Sequence, residues 1–250
     1  MSKALIVLSG GQDSTTCLYW AINEFGRENV SSLSFDYGQR HKIELEAAKK
    51  VSEIAAVAHE ILPINTFSAL GGNALTDDID VEEEADDNDA DRDGSLPGTS
   101  LPNTPLPNTF VPGRNLVFLT FAAAYAYQRS IKHLVTGVAQ TDYSGYPDCR
   151  ENTLSSLEQT LRLGMEYDIT IHTPLMNLSK SDTVTLAEKL GAMDAMAYTH
   201  TCYNGEQPPC GHCQACLLRA KGFAEADRTD PLVERFQFFS KNSNDKTNDE

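Results

Sequence analysis

The chain has 250 residues, of which 40% are hydrophobic, and its formal net charge is −16. This length allows one large α/β domain or a domain with an appendage, and no apolar run is long enough to span a membrane. Eleven acidic residues against one arginine between Asp77 and Asp93 account for −10 of the charge, so the rest of the chain carries an ordinary −6. Because the chain passes directly from Met1 into an apolar run at Ala4, we expect no signal peptide and a cytoplasmic protein.

The first predicted element is a strand over Ala4–Leu8, whose branched apolar residues are typical of a buried parallel strand. Two glycines follow, Gly10 and Gly11, and they allow a turn that brings backbone amides close to an anion. A helix predicted over Ser14–Ala21 points its N-terminus back at this turn, which completes a phosphate cradle. The alternative is a plain glycine turn between a strand and a helix.

The loop has the sequence Ser9-Gly10-Gly11-Gln12-Asp13-Ser14. It lacks the Gly-Lys-Ser/Thr of loops that leave the γ-phosphate to be transferred, and it lacks the GxGxxG of dinucleotide binders. It resembles the SGGxDS loop of the ATP pyrophosphatase superfamily, and the resemblance implies that a nucleophile attacks the α-phosphate while the loop grips the β,γ-pyrophosphate. We therefore predict an ATP-binding stretch made of Leu8, Ser9, Gly10, Gly11, Gln12, Asp13, Ser14, Thr15, Thr16, Cys17 and Leu18.

Strands and helices alternate after this loop. A predicted strand over Val30–Asp36 is followed at its carboxyl end by the polar cluster Asp36–His41, and open α/β sheets bind ligands at that edge. Apolar residues at helical spacing predict a helix over Ile43–Ala58, and a third strand follows over His59–Pro63. This alternation predicts an α/β fold with a doubly wound, mostly parallel sheet.

The alternating pattern is lost between Ile64 and Pro112. The acidic run lacks the apolar residues that a core needs, so we expect a solvated, mobile loop there. A five-residue repeat that starts at Leu96, Leu101 and Leu106 comes next, and it is too rich in proline for a strand or a helix. It is a duplicated linker or, alternatively, a lid over the site.

Regular structure is expected again in the second half of the chain. The predicted elements are a helix over Leu116–Tyr127, a strand over His133–Gly137, a helix over Asn152–Met165, a strand over Ile169–Thr173, a capped helix from Ser179 to Leu190 and a final helix through Ala226. The last ten residues are polar and expected to fray. This pattern divides the chain into an α/β domain over 1–195 with an insertion at about 76–109, a knuckle with its helix over 196–228, and a tail over 229–250.

Four cysteines lie close together near the C-terminus, at Cys202, Cys210, Cys213 and Cys216. Two thiolates separated by two residues can coordinate the same metal ion, and four thiolates complete a tetrahedral zinc site with no open position. Such a site is structural, and in a cytoplasmic chain the cluster favours one Zn²⁺ over disulfides. A four-iron iron–sulfur cluster is the alternative, because ferredoxins use similar spacing.

Several polar motifs follow the loop in a fixed order. They are Phe35-Asp36-Tyr37-Gly38-Gln39-Arg40-His41, Val111-Pro112-Gly113-Arg114-Asn115, Tyr143-Ser144-Gly145-Tyr146-Pro147-Asp148-Cys149-Arg150, Thr173-Pro174-Leu175 with Ser179-Lys180, and the four cysteines. Together they resemble the 7-cyano-7-deazaguanine synthase family of queuosine biosynthesis from about Lys3 to Ala226. The resemblance implies an adenine nucleotide alpha hydrolase-like fold with a small C-terminal zinc knuckle, and the acidic insertion departs from the family pattern.

The resemblance implies an ATP-dependent ligase that turns 7-carboxy-7-deazaguanine and ammonia into the 7-cyano product. An adenylated carboxylate gives an amide, and the amide is adenylated in turn before loss of AMP leaves the nitrile. The expected partners are ATP with Mg²⁺, the deazaguanine, ammonia and a second copy of the chain as a homodimer, with neither nucleic acid nor membrane.

The resemblance also implies roles for individual residues. Ser9, Asp13 and Lys180 are the expected catalytic residues: Ser9 helps to cradle the pyrophosphate, Asp13 orients the loop or assists Mg²⁺, and Lys180 neutralises the leaving group. Contacts to the substrate or to the ATP phosphates are expected from Tyr37, Arg40, Arg114, Asp142, Tyr146, Asp148 and Arg150. Structural ion pairs are the alternative for the arginines, and helix capping is the alternative for Asp148.

Two other classes of protein share parts of this pattern. The tRNA thiolases have the same loop, but they usually need a catalytic cysteine and an appended basic RNA-binding domain, and this chain has neither a basic domain nor residual positive charge. Salt-dependent binding of tRNA would revive that class. The second class is a non-catalytic zinc-knuckle interaction protein, which the intact loop argues against and which a measurement of ATP binding would separate.

Overall fold

The computed structural model describes residues 2–39, 42–64, 66–71, 73–77, 108–140 and 146–245. The strands are β1 (Ala4–Val7), β2 (Val30–Asp36), β3 (Ala58–Pro63), β4 (His133–Thr136) and β5 (Thr170–His172). Within the described residues they form one sheet in the order β3-β2-β1-β4-β5, and each neighbouring pair is parallel. The parallel sheet predicted from the alternating pattern is therefore confirmed.

Helices connect the strands and cover the sheet. The α-helices of the described part of the chain are α1 (Gln12–Phe25), α2 (Ile43–Ala55), α3 (Phe67–Leu70), α4 (Arg114–Gln128), α5 (Glu151–Met165), α6 (Lys180–Lys189), α7 (Met193–Met196), α8 (Gln214–Glu225) and α9 (Pro231–Asp245). None of these helices combines the length and the hydropathy that a crossing of the membrane requires.

Both faces of the sheet are buried, because successive side chains of a strand point to opposite faces. Ile6 of β1 belongs to an apolar cluster with Leu18 of α1 and Val51 of α2. Its neighbour Leu5 belongs to a second cluster with residues of α4 and α5, such as Leu161. Since helices cover both faces, β1 is apolar along its whole length and not only at alternate positions.

The order of the strands changes direction at β1. Strands β2 and β3 lie on one side of it, and β4 and β5 lie on the other. The connections that follow β1 and β4 therefore diverge at the carboxyl ends of these strands, and open α/β sheets bind ligands at such a switch point. The loop predicted to bind ATP follows β1 directly, so the topology places it at this point.

The C-terminal part of the chain differs from the prediction. The sequence predicts a tail over 229–250, but helix α9 begins at Pro231 and continues to Asp245. The Asp230 carboxylate accepts a hydrogen bond from the Leu232 amide over 2.9 Å, and the Leu232 side chain is buried. An aspartate before a proline is a helix-start signal, and it outweighs the polar composition that suggests a tail.

Two short helices, α3 and α7, also escape prediction because a single turn is too short to show helical spacing. The acidic run beyond Asp77 and the leucine–proline repeat lie outside the described residues.

Candidate active site

The loop after β1 fits closely against α2 and the end of β4. Gly10 has a φ of 84°, which favours glycine. A Cβ atom at this position would lie 2.4 Å from the carbonyl oxygen of Glu44 and 2.7 Å from the amide nitrogen of Ala48. A Cβ atom on Gly137, next to β4, would lie 2.8 Å from the amide nitrogen of Ser14. Only glycine therefore allows the observed approach at these two positions.

Two serine hydroxyls fix the shape of the loop. The Oγ atoms of Ser9 and Ser14 lie 3.0 Å apart, and Ser14 Oγ also donates to the carbonyl oxygen of Gly11 over 3.1 Å. Ser9 Oγ accepts a hydrogen bond from the Gly11 amide over 3.3 Å. The N-cap residue of α1 is Gly11, which has no side chain to accept hydrogen bonds from the first-turn amides. The first-turn amides of α1 are therefore suited to hold an anion.

The remainder of the predicted ATP-binding stretch lies beneath this loop. The side chains of Thr15, Thr16, Cys17 and Leu18 are fully buried. Burial also raises the pKa of the Cys17 thiol, and that thiol donates to the carbonyl oxygen of Thr136 over 3.6 Å. These four residues support the loop from the core, while Ser9, Gly11 and Asp13 keep part of their surface exposed.

The structure brings Asp13 and Lys180 together, although 167 residues separate them in the chain. Lys180 Nζ donates to Asp13 Oδ2 over 2.7 Å, and the two side chains are 17% and 25% exposed. Lys180 begins α6, which starts with the predicted capping box of Ser179 and Asp182. A partly buried ammonium group is therefore held beside the loop, where a phosphate charge would interact with it more strongly than in open solvent.

The other carboxylate oxygen of Asp13, Oδ1, is buried and has no hydrogen-bond partner among the described residues. A buried acceptor without a partner is costly, so such an atom suits a ligand that supplies the missing interaction. Mg²⁺ binds carboxylate oxygens and often bridges them to the phosphates of a nucleotide. The donor chemistry of Asp13 fits the predicted role beside Mg²⁺.

Tyr37 and Arg114, two residues predicted to contact the substrate, lie together near the carboxyl end of β2. Arg114 Nη1 donates to the Tyr37 hydroxyl over 3.4 Å, and the guanidinium carbon lies 5.8 Å from the centre of the tyrosine ring. Burial raises the pKa of Tyr37 to about 12, although the charge of Arg114 lowers it. The Tyr37 hydroxyl therefore stays protonated at neutral pH.

Glu44 joins this group and is absent from the residues predicted from the sequence. It lies in the first turn of α2 and is only partly exposed. Burial raises the pKa of its carboxyl group to about 7, although the charge of Arg114 lowers it. A sequence signal does exist, since Glu44 closely follows the polar cluster Asp36–His41 at the carboxyl end of β2.

Tyr146 and Asp148 have well-defined partners. The Tyr146 hydroxyl and Thr109 Oγ1 lie 2.6 Å apart in a buried position. Asp148 is buried, and its Oδ2 accepts a hydrogen bond from the backbone amide of Asn115 in the first turn of α4 over 3.0 Å. Asp148 therefore makes the capping contact named as its alternative role.

Arg150 is only partly exposed, and its guanidinium group has no hydrogen bond or ion pair with the residues that the structure describes. It remains a candidate for binding a carboxylate or a phosphate. Arg40 and Asp142 lie outside the described residues.

The four predicted cysteines form one cluster. The sulfur atoms of Cys202, Cys210, Cys213 and Cys216 all lie within 4.8 Å of one another, and those of Cys210 and Cys216 are 3.9 Å apart. A tetrahedral ion with metal–sulfur distances of about 2.3 Å places its sulfur ligands about 3.8 Å apart. All four thiols are free of disulfides. The predicted four-cysteine site that could hold a metal is confirmed.

Comparison with known proteins gives consistent matches. The family model of the queuosine biosynthesis protein QueC matches residues 3–227. A 7-cyano-7-deazaguanine synthase of Chromobacterium violaceum is 64% identical over 236 residues, which cover 94% of each chain. The enzyme of the same name from Laribacter hongkongensis is 63% identical over 93% of this chain and 94% of its own. That of Bacillus subtilis is 48% identical over 89% of this chain and 94% of its own.

Proposed function

Since the chain belongs to the family of the queuosine biosynthesis protein QueC and is an enzyme of the 7-cyano-7-deazaguanine synthase type, we propose the following reaction for it. Ammonia and ATP convert 7-carboxy-7-deazaguanine into the 7-cyano product through an adenylated carboxylate and an adenylated amide. The observation that carries this proposal is the Lys180–Asp13 pair on the glycine loop at the switch point of the sheet. A fixed cation there suits a reaction in which charge develops on a departing pyrophosphate.

The first half of the reaction activates the carboxylate. A carboxylate oxygen attacks the α-phosphorus of ATP, and pyrophosphate leaves with the electron pair of the broken P–O bond. The amides of Gly10 to Ser14 and the Ser9 hydroxyl hold the pyrophosphate, and the Lys180 ammonium neutralises its charge. Because Asp13 holds Lys180 over 2.7 Å, the ammonium is oriented before ATP binds.

The second half forms the nitrile. Ammonia attacks the acyl carbon, and the bond between that carbon and the oxygen of AMP breaks to give the amide. The amide oxygen then attacks the α-phosphorus of a second ATP, and a second pyrophosphate leaves with the electron pair of the broken P–O bond. The nitrogen gives up both of its protons, and the remaining C–O bond breaks to release AMP. Glu44 suits the removal of these protons, because a carboxyl group with a pKa of about 7 can both accept and release a proton near neutral pH.

Substrate contacts follow from the residues around Glu44. Tyr37 and Arg114 together offer a ring and a planar cation, which suit stacking against a flat heterocycle. Arg150 suits the carboxylate, since its guanidinium group has no hydrogen bond or ion pair with a described residue. Arg40 and Asp142 remain predictions from the sequence.

Two metal ions complete the proposal. Mg²⁺ would be held by Asp13 together with the phosphates of ATP, and its chemistry is to screen their negative charge. Zn²⁺ would be held by the four cysteines, where a closed tetrahedral site stabilises the fold. Elemental analysis should find one zinc per chain, and iron with acid-labile sulfide would contradict this assignment.

We also propose that the enzyme uses free ammonia, acts in the cytoplasm and forms a homodimer, as its resemblance to the family implies. Light scattering of the purified protein measures the last point directly. A mass of one chain at micromolar concentration would contradict it.

The decisive experiment incubates the metal-loaded protein with ATP, Mg²⁺, an ammonium salt and 7-carboxy-7-deazaguanine. Mass spectrometry should detect the nitrile, and chromatography should detect AMP and pyrophosphate. ADP and phosphate would contradict attack at the α-phosphate. Omission of ammonia should leave the adenylated carboxylate or its hydrolysis products, and nitrile formation without ammonia would contradict the proposed nitrogen source.

A further inference from the structure

We propose that helix α8, which begins at the cysteine cluster, positions the Lys180–Asp13 pair, and that Gly222 is the positioning residue. This inference deepens the proposed function, because it relies on the role given there to Lys180. The cysteine knuckle then has a part in catalysis beyond the stability that a closed metal site provides.

Gly222 lies where α8 packs against Lys180 at the start of α6. A Cβ atom on Gly222 would lie 2.8 Å from the Cβ of Lys180 and 3.2 Å from both its carbonyl carbon and its carbonyl oxygen. Glycine inside a helix costs about 1 kcal/mol relative to alanine, so its presence in α8 requires a reason. The backbone of Lys180 provides that reason, because a larger residue at 222 would displace it.

A second contact joins the knuckle to the loop Ser9–Ser14, which is called the ATP loop from here on. The backbone amide of His200 donates to the carbonyl oxygen of Gly10 over 2.9 Å. The His200 side chain is buried, and its Nε2 lies 3.0 Å from the carbonyl oxygen of Cys202, the first cysteine of the cluster. The stretch that leads into the cysteine cluster therefore supports the loop at its tightest glycine.

Arg219 links the contact between Gly222 and Lys180 to the contact between His200 and Gly10. Its guanidinium group donates to both carboxylate oxygens of Asp230 over 2.6 and 2.8 Å, and the two side chains are only 5% and 10% exposed. The same group donates to Thr199 Oγ1 over 2.7 Å and to Thr201 Oγ1 over 3.2 Å, on either side of His200. Because a guanidinium fork has a fixed geometry, α8 and the stretch around His200 are held in one arrangement.

The cysteines anchor this arrangement at its other end. Cys213 is the N-cap residue of α8, and Cys216 lies in its first turn. An ion held by these thiolates would fix the start of α8 relative to Cys202 and therefore relative to His200. From there the same helix reaches Lys180 through Gly222, so the cluster is linked to both sides of the phosphate site.

The test is a double-mutant cycle between Gly222→Ala and Lys180→Ala in the metal-loaded full chain. Calorimetry measures the Kd of ATP, and chromatography measures the rate of AMP formation. If Gly222 acts through the Lys180 ammonium, Gly222→Ala lowers AMP formation about tenfold, the loss expected when a charged hydrogen-bonding group is displaced. The same change should have little effect in the Lys180→Ala background. Equal losses in both backgrounds would overturn the proposal.

Gly164→Ala is the matched control. Gly164 also lies inside a helix, α5, but a Cβ atom there would have no neighbour within 4 Å. This variant should keep the wild-type rate, ATP affinity and metal content. Gly222→Ala should keep the metal content as well, and loss of the metal would overturn the claim that the effect passes through Lys180.

Two further arrangements keep the test decisive. If Gly222→Ala does not fold, Arg219→Lys loosens the same link without adding an atom near Lys180. It should lower AMP formation when Lys180 is present but not in the Lys180→Ala background.

If the wild type forms no AMP, the proposed reaction fails, but the cycle can still be measured through the Kd of ATP. An additive pattern in that Kd would overturn the positioning role by itself.

Discussion

The ATP loop and the substrate side of the site are built in different ways. In the loop, Gly10 and the two serine hydroxyls act within six residues of sequence, and most of their contacts involve the backbone. On the substrate side, Tyr37, Glu44 and Arg114 come from separate parts of the chain, and burial shifts the pKa values of the first two. The proposed phosphate site thus depends on local conformation, whereas the groups proposed to face the substrate depend on packing and charge.

This difference predicts the largest effect for Lys180, which is the side-chain charge that completes the backbone cradle. Lys180→Ala should lower the rate of AMP formation by about 10²- to 10³-fold, the loss typical when a group that stabilises transition-state charge is removed. Initial rates at saturating ATP measure this effect. Lys221→Ala, at a lysine that is 69% exposed on α8, is the control and should keep the wild-type rate. A loss of less than threefold for Lys180→Ala would contradict its role.

A second prediction concerns the conformation of the loop. Gly10→Ala and Gly191→Ala both place a side chain at positive φ, 84° and 75°, but only Gly10 also faces the backbone of α2 at 2.4 Å. Gly191→Ala should cost about 1 kcal/mol of unfolding free energy from the left-handed backbone alone. Gly10→Ala should cost about 3 kcal/mol, because overpacking adds to that strain. Urea denaturation compares them, and equal costs would contradict the close fit of the loop.

The same contrast explains how much could be predicted from the sequence. The bounds of β2, the capping box at Ser179 and the four cysteines carry local signals, and the structure agrees with all of them. The Lys180–Asp13 pair joins residues that no local pattern connects, so only the resemblance to a family indicated both. The position of Glu44 after the polar cluster Asp36–His41 is a sequence signal, but its raised pKa could not be predicted, because that shift comes from burial in the folded chain against the opposing charge of Arg114, seventy positions further along.

The smallest predicted effect belongs to Glu44 and concerns the dependence of stability on pH. Its pKa rises from 4.5 in the unfolded chain to about 7 in the native protein. Between these values the native state holds a proton that the unfolded state has lost, so stability falls as the pH rises from 4.5 to 7. This loss should be on the order of 2 kcal/mol, since the group is partly exposed. Glu44→Gln should remove it.

Urea denaturation at pH 5 and pH 7.5 measures this difference. The unfolding free energy of Glu44→Gln minus that of the wild type should be larger at pH 7.5 than at pH 5. The reason is that the variant has no carboxyl group to ionise and so does not lose stability as the pH rises. Glu46→Gln, at an exposed carboxyl group in the same turn of α2, should follow the wild type at both pH values. If the stability of Glu44→Gln also follows that of the wild type at both pH values, burial does not raise the pKa of the Glu44 carboxyl group. The substrate side would then lack the proton acceptor proposed for nitrile formation, while the Lys180 and Gly10 predictions would be unaffected.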